Sequence, residues 1–361
     1  MKPWLENLVP FAAMVASECL DVGLTTISKS AMSKGMSHFV FVVYSNALAT
    51  LILLPIFFFP HRIKRPPITF HHLCKFFLLG LTGITIVQNC VFTGVNYSSP
   101  TLASAMSNAV PAYTFILAVI FRMEKVRLQS FRSQIKILGT VVSIAGALTV
   151  TFYKGPSLWS SLSHSHSNSV TDFRLLPHLP SFNMLESTSN WVIGGFFFAV
   201  ATLSLATWNI LQATVMKGYP SELTVVFFYC LFGTIQCSVV SLIAERDPNA
   251  WKLRPDIELG AIVYSAVLGN VVSYCIQTWC IVKKGPVFVA MFKPLGIAVA
   301  ALLGAIFLGD TLHLGSVVGA VIIVAGFYAV IWVQSKEERD NEECLDSLPS
   351  SSQKRPLLHG H

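Results

Sequence analysis

Three ionisable side chains lie inside stretches that otherwise carry no charge. Glu18 and Asp21 fall in the apolar run 8–28, and Lys293 falls in 287–308. A charged side chain at the depth of a bilayer costs about 2.5–3.5 kcal/mol on insertion scales, so it faces a cavity or a partner. Glu18 and Asp21 are three residues apart and therefore share one face of a helix. Two carboxylates in that position can meet an ammonium group or shuttle a proton, and the lysine can meet a carboxylate; together they would suit a zwitterion. The same three side chains can equally close an internal ion pair between two helices and touch no solute. Uncharged polar residues at similar depth share this ambiguity: Gln88, Asn108, Trp208, Asn209, Gln212, Asn270 and Gln277 either bond helix to helix or line a path. The candidate substrate-binding set is Glu18, Asp21, Gln88, Asn108, Trp208, Gln212, Gln277 and Lys293. Pro294 and Gly296, beside the lysine, predict a local break whose freed backbone groups line a cavity.

The elements that must hold these residues are membrane helices. The chain has 361 residues, 53% hydrophobic and 12% charged, against about 25% charged in an ordinary soluble domain. Stretches 8–28, 39–59, 76–95, 101–121, 137–153, 191–215, 223–244, 259–282, 287–308 and 314–333 approach or reach the ~20 apolar residues a spanning helix needs. Continuous apolar runs with little alternation exclude an outer-membrane barrel. The expected fold is an all-α integral membrane protein of ten transmembrane helices.

A helix pair is used twice. Residues 285–326 pair two apolar runs around Gly309–His313, and residues 99–128 with the run from Gly139 follow the same plan. Pro100 answers Pro286, Pro111 lies near the place of Pro294, Glu124 answers Asp310, and Gly139 and Gly146 answer Gly319 and Gly326. Small residues of this kind let helices approach closely in a bilayer. The Ser-rich segment 154–190 divides the chain, since a structureless loop of that length marks a boundary. The expected organisation is a cytoplasmic N-terminus 1–7, a first five-helix unit 8–153, an extracytoplasmic linker 154–190, a second five-helix unit 191–333 and a disordered tail 334–361. An odd number of helices per unit turns the second upside down, as in many transporters.

Lys and Arg set the orientation. They gather in alternate connections, as Arg62, Lys64, Arg65 and Lys75, and again as Arg122, Lys125, Arg127, Arg132 and Lys136. Both termini are therefore expected in the cytosol. The net charge of +7 reflects this topology and gives no reason to expect nucleic acid. Six of the eight cysteines fall inside apolar runs, and neither a disulfide framework nor a zinc spacing is visible. His164 and His166 lack further metal ligands. No HExxH or GxSxG motif occurs, so an enzyme is not expected, and no cofactor is implied. The first run has spanning length and no small-residue cleavage site, so no cleavable signal is expected.

Several phrases occur together in order: SKGMSHFVFVVYSN (33–46), QNCVFTGVNYSSPTLASAMSNAVPAYTF (88–115), WNILQ (208–212) and KKGPVFVAMFKPLGIAVAALLGAIFLGD (283–310). In these the chain resembles the plant nodulin-21-like EamA-domain proteins, a branch of the drug/metabolite transporter superfamily that includes amino-acid transporters. The resemblance covers about 8–333. It implies two inverted EamA repeats of five helices, no prosthetic group, and movement of amino acids or related small organic solutes through the bilayer. Protons are a further partner if Glu18 or Asp21 titrates during transport; if neither does, the protein is a facilitator. Auxin-like organic acids are the alternative cargo, and a non-transporting scaffold the alternative role. Tyr44-Ser45-Asn46 stands where many relatives place a central arginine, which leaves the charge preference of the substrate open. Gly309-Asp310 replaces the usual Gly-Glu and keeps the acid. Plasma membrane is the expected location, with tonoplast or endoplasmic reticulum as alternatives.

If the charge bias sets the orientation, epitope tags at both ends will be reached by antibody only after the plasma membrane is permeabilised. Labelling of either tag on intact cells would reverse the assignment.

Overall fold

The computed structural model describes residues 3–33, 35–58, 67–97, 106–124, 130–153, 157–159, 184–253, 257–303 and 312–346. Most of the linker, the end of the tail, Lys34, Pro100, Asp310, His164 and His166 lie outside the described residues. In chain order the helices are α1 (Pro3–Ser33), α2 (His38–Phe58), α3 (Phe70–Gly80), α4 (Ile86–Tyr97), α5 (Val110–Ile120), α6 (Phe131–Phe152), α7 (Met184–Gly218), α8 (Glu222–Ala244), α9 (Ile257–Tyr264), α10 (Ser273–Lys284), α11 (Pro286–Leu303) and α12 (Leu314–Asp346). The only strands among the described residues are β1 (Ser157–Trp159) and β2 (Leu312–His313), paired antiparallel. That pairing holds the start of the expected linker against the entry to α12.

Two helices run through π-helical turns. α3 passes through Leu81–Thr85 into α4, and α9 passes through Ser265–Val272 into α10. Each combined helix is long and apolar enough to cross a membrane, as are five others, beginning near Leu8, His38, Phe131, Val192 and Glu222. Three further apolar helices are shorter: Val110–Ile120, Pro286–Val299 and Val317–Val333. The outward faces carry Phe70, Ile120, Phe131, Val192, Leu242 and Val321, all exposed. In water such a surface would be an aggregation liability; against lipid tails it costs nothing. α12 continues past the apolar run to Asp346, because its Lys-, Glu- and Arg-rich end has good helix propensity.

Helix pairing crosses between the two halves of the chain. α1 packs on α11 and α10, while α7, at the same place in the second half, packs on α5 and α4. α2 packs on α8, and α6 on α12. The last crossing is set by glycines. A Cβ on Gly139 would lie 2.8 Å from the Gly326 carbonyl, and one on Gly326 2.6 Å from the Gly139 carbonyl. Gly146 and Gly319 are matched in the same way, at 2.9 and 2.7 Å. Since 139 meets 326 and 146 meets 319, the two helices run antiparallel. Without a hydrophobic drive between helices in lipid, such close packing is what holds them.

Gly146→Val should separate α6 from α12 and lower stability by about 1–3 kcal/mol, the usual cost of overpacking. A clear fall in the thermal unfolding temperature of the detergent-solubilised protein checks this; an unchanged value would mean that the crossing tolerates the extra volume.

Candidate functional site

α1 and α11 bring the three charges together. Lys293 Nζ lies 3.1 Å from Glu18 Oε1 and 3.3 Å from Asp21 Oδ2. One ammonium is therefore shared by two carboxylates presented one helical turn apart. The three are unequally enclosed: the Glu18 side chain is 5% exposed, Lys293 25% and Asp21 30%. Gly296 explains how Glu18 fits. A Cβ there would come within 2.5 Å of Glu18 Oε2, so the missing side chain makes room for the carboxylate. Tyr264 holds the same stretch of α1 from α9. Its hydroxyl donates to the Leu20 carbonyl at 3.3 Å and covers Gly23, where a Cβ would collide with it.

The helix break expected at Pro294 lies elsewhere. α11 runs unbroken from Pro286 to Leu303 with Pro294 inside it, so the missing N–H costs only the bond to the Ala290 carbonyl. The interruption falls at Asn108–Ala109, between the helical Met106–Ser107 and α5. Pro111 sits in the first turn of α5, where its fixed φ suits a helix start and no N–H is needed. Asn108 is 1% exposed, and neither its amide nitrogen nor its oxygen has a hydrogen-bond partner.

Trp208 and Gln212 carry a separate cluster of polar and aromatic contacts. Trp208 and Gln212 lie one turn apart on α7, both buried. Gln212 Nε2 donates to Thr278 Oγ1 at 2.8 Å, while Gln212 Oε1 and Trp208 Nε1 have no partner. The Trp208 ring meets Tyr229 and Tyr274 at 5.7 and 6.4 Å. A Cβ on Gly83, inside the first π turn, would strike both Trp208 Nε1 (2.7 Å) and the Tyr229 hydroxyl (2.6 Å). Gln277 is buried on α10, Asn209 is buried beside Trp208, and Asn270 is buried in the second π turn with Nδ2 unpartnered. Gln88 is half-buried with Oε1 unpartnered.

Sequence reasoning passed over Tyr229, Tyr264 and Tyr274. The signal available was a phenol inside an apolar run, where its hydroxyl needs a partner. Gln236, not in the candidate set, acts as a structural tie. It accepts from Thr85 at 2.8 Å and donates to the Phe77 carbonyl at 3.0 Å, holding α8 to the first π turn. Among the described residues no group of three or more His, Cys, Asp or Glu could hold a metal ion.

Apolar helices with exposed outer faces, enclosing ion-paired charges and unpartnered polar groups, define a multi-pass helical membrane protein with a polar interior. The model of the EamA-like transporter family matches residues 11–152 and again 192–332, so the chain belongs to that family. It is similar to WAT1-related proteins of Arabidopsis thaliana. One is 46% identical over 363 residues, covering 100% of this chain and 94% of the relative. A second is 44% identical over 375 residues, covering 100% and 98%. Protein WALLS ARE THIN 1 of Arabidopsis thaliana is 38% identical over 335 residues, covering 92% and 85%. A solved crystal structure at 12% identity superposes with a TM-score of 0.64, covering 92% of this chain and 98% of the other, which is a likeness of fold alone. The family is one of transporters, in line with a carrier rather than an enzyme.

Lys293→Met would leave Glu18 enclosed without its counter-charge. Loss of one partner of a buried pair costs about 3–5 kcal/mol, and the open side of Lys293 places this case at the low end. The double variant Glu18→Gln/Lys293→Met should recover most of the loss in thermal unfolding. Additive losses would show that the two side chains do not stabilise each other.

Proposed function

We propose that this protein carries small organic solutes, amino acids foremost, by alternating access between its two EamA segments. The reading takes them as two oppositely oriented sets of five helices, about 8–153 and 191–333, joined by the linker 154–190. Seven long and three shorter apolar helices, together with the reciprocal crossing of α6 and α12, support that arrangement. The observation that carries the function is the position of the Lys293 ion pair. It joins α1 of the first segment to α11 of the second, charged groups at membrane depth between the two parts that must rock.

On this reading, solute binds near α1, α11 and the helix break at Asn108. The unpartnered polar atoms of Asn108, Trp208 and Gln212 supply uncharged contacts, and the two helices that carry π turns adjoin Trp208 and Gln212. π turns are frequent at functional sites because they release backbone groups from the regular ladder. The substrate-binding role of Glu18, Asp21, Gln88, Asn108, Trp208, Gln212, Gln277 and Lys293 is part of the proposal, as is residence in the plasma membrane.

Radiolabelled glutamine flux in both directions, through proteoliposomes holding wild type or Lys293→Ala, tests the proposal. Wild-type flux at least ~10-fold above that of a folded mutant is expected, equivalent to ~1.4 kcal/mol. Equal flux in both would make Lys293 purely structural. Phenylacetate moved in place of glutamine would replace amino acids by organic acids as the cargo.

A further inference from the structure

Enclosure changes abruptly along both helices that carry the charges. Phe11 on α1 meets Phe292 on α11, and Glu18 meets Gly296, so the two helices run parallel. Their N-terminal ends therefore lie together, on the side where Lys283 and Lys284 precede α11. Phe11, Met14, Glu18 and Asp21 follow the spacing of one helix face. Going along that face away from the shared end, Met14 is fully buried, Glu18 is 5% exposed and Asp21 is 30% exposed. α11 repeats the change. Every residue from Val287 to Phe292 is at most 4% exposed, and the Lys293 side chain, next in line, is 25% exposed. Charged groups at membrane depth face protein or water, not hydrocarbon, so the open part of the ion pair faces water.

The closed side is aromatic. Four phenylalanines from three helices meet directly below Lys293, with Phe292 at the centre. Its ring lies 5.6 Å from Phe11 on α1, 5.0 Å from Phe288 one turn earlier on α11, and 4.7 Å from Phe327 on α12. Phe11 and Phe327 close the group at 5.8 Å. The stretch of α11 beside them, Val287–Phe292, is wholly apolar. Such a constriction excludes water and bars a charged solute. Phe11 belongs to the first EamA segment and the other three to the second. The cluster therefore spans the two parts that rock against each other in alternating access.

We propose that Phe11, Phe288, Phe292 and Phe327 form the gate on the Lys283–Lys284 side, which the charge bias makes cytoplasmic. The gate is closed in this structure, below a site open to the opposite face of the membrane. Ring contacts part without leaving a polar group unsatisfied, so these surfaces can separate and re-form in every cycle. Moving Phe11 away from Phe292 and Phe327 opens the path between Lys293 and the cytosol. This inference rests on the transporter reading and names the residues that decide which side reaches its site.

Two measurements on the full chain test it, and the first needs no flux. Asp21→Cys is treated with a membrane-impermeant methanethiosulfonate bearing a quaternary ammonium, in right-side-out and in inside-out vesicles, and labelling at that position is read by mass. Labelling from the extracytoplasmic side should be at least ~10-fold faster than from the cytoplasmic side, ~1.4 kcal/mol in barrier. Adding Phe292→Ala should remove most of that difference by raising the cytoplasmic rate. Faster or equal labelling of Asp21→Cys from the cytoplasmic side, or none from either, overturns the proposed state. A cytoplasmic rate that ignores Phe292→Ala overturns the gate. The second measurement keeps the Phe292 ring, so it decides the matter if Phe292→Ala does not fold. In proteoliposomes, Phe11→Cys/Phe327→Cys is joined by a bifunctional methanethiosulfonate, and glutamine flux is compared with that of wild type treated alike. Flux should fall at least ~10-fold when the link forms and return when a reducing agent cuts it. A link verified by mass that leaves flux intact makes the cluster plain packing and overturns the gate. If wild type moves neither glutamine nor phenylacetate while labelling stays one-sided, the transporter reading falls and the cluster is a fixed seal.

Discussion

The interior depends on one constraint: a charge removed from water must be answered by another within a few ångströms. Lys293 is answered twice, at 3.1 and 3.3 Å, by residues about three quarters of the chain length away. Those contacts fix the rotation of α1 about its axis, because both carboxylates must point at one ammonium. Once α1 is set, Tyr264 and Gly23 follow, and the helix from α9 to α10 has its distance from α1 decided by a hydroxyl resting on a bare backbone. Gly296 is the complement on the other side, lacking a side chain where Glu18 needs space.

The same logic holds away from the charges. In a bilayer, lipid tails compete with side chains for apolar contact, so helices gain by approaching closely and by satisfying polar groups. The glycine crossing of α6 and α12 meets the first need. The contacts of Gln236 with Thr85 and Phe77 meet the second at a π turn, where the backbone ladder is disturbed. Elsewhere polar groups are left without partners: Asn108 at the start of α5, and Trp208 and Gln212 on α7. A buried unpaired polar atom costs about 1–3 kcal/mol. Retaining several is consistent with a protein whose interior is meant to receive something polar.

The membrane class, the existence of most helices and the twofold use of one helical plan were legible from apolar runs, because bilayer thickness imposes a length that composition reveals directly. The charges inside those runs stood out for the same reason, and so did Gly139, Gly146, Gly319 and Gly326. The family was carried by four phrases in order. Lipid punishes each misplaced polar residue separately, so these properties are local and survive in the bare sequence.

What only the tertiary structure decided concerns which residues meet. It paired Gly139 with Gly326 and Gly146 with Gly319, which no spacing along the chain specifies. It placed the helix interruption at Asn108 and left Pro294 inside a continuous helix, since a proline can either start a helix or be absorbed by one, and packing chooses between these. It also separated Glu18 from Asp21. Three residues apart on one helix, they are equivalent in sequence, and only the bare Cα of Gly296 and the reach of Lys293 enclose one and leave the other open.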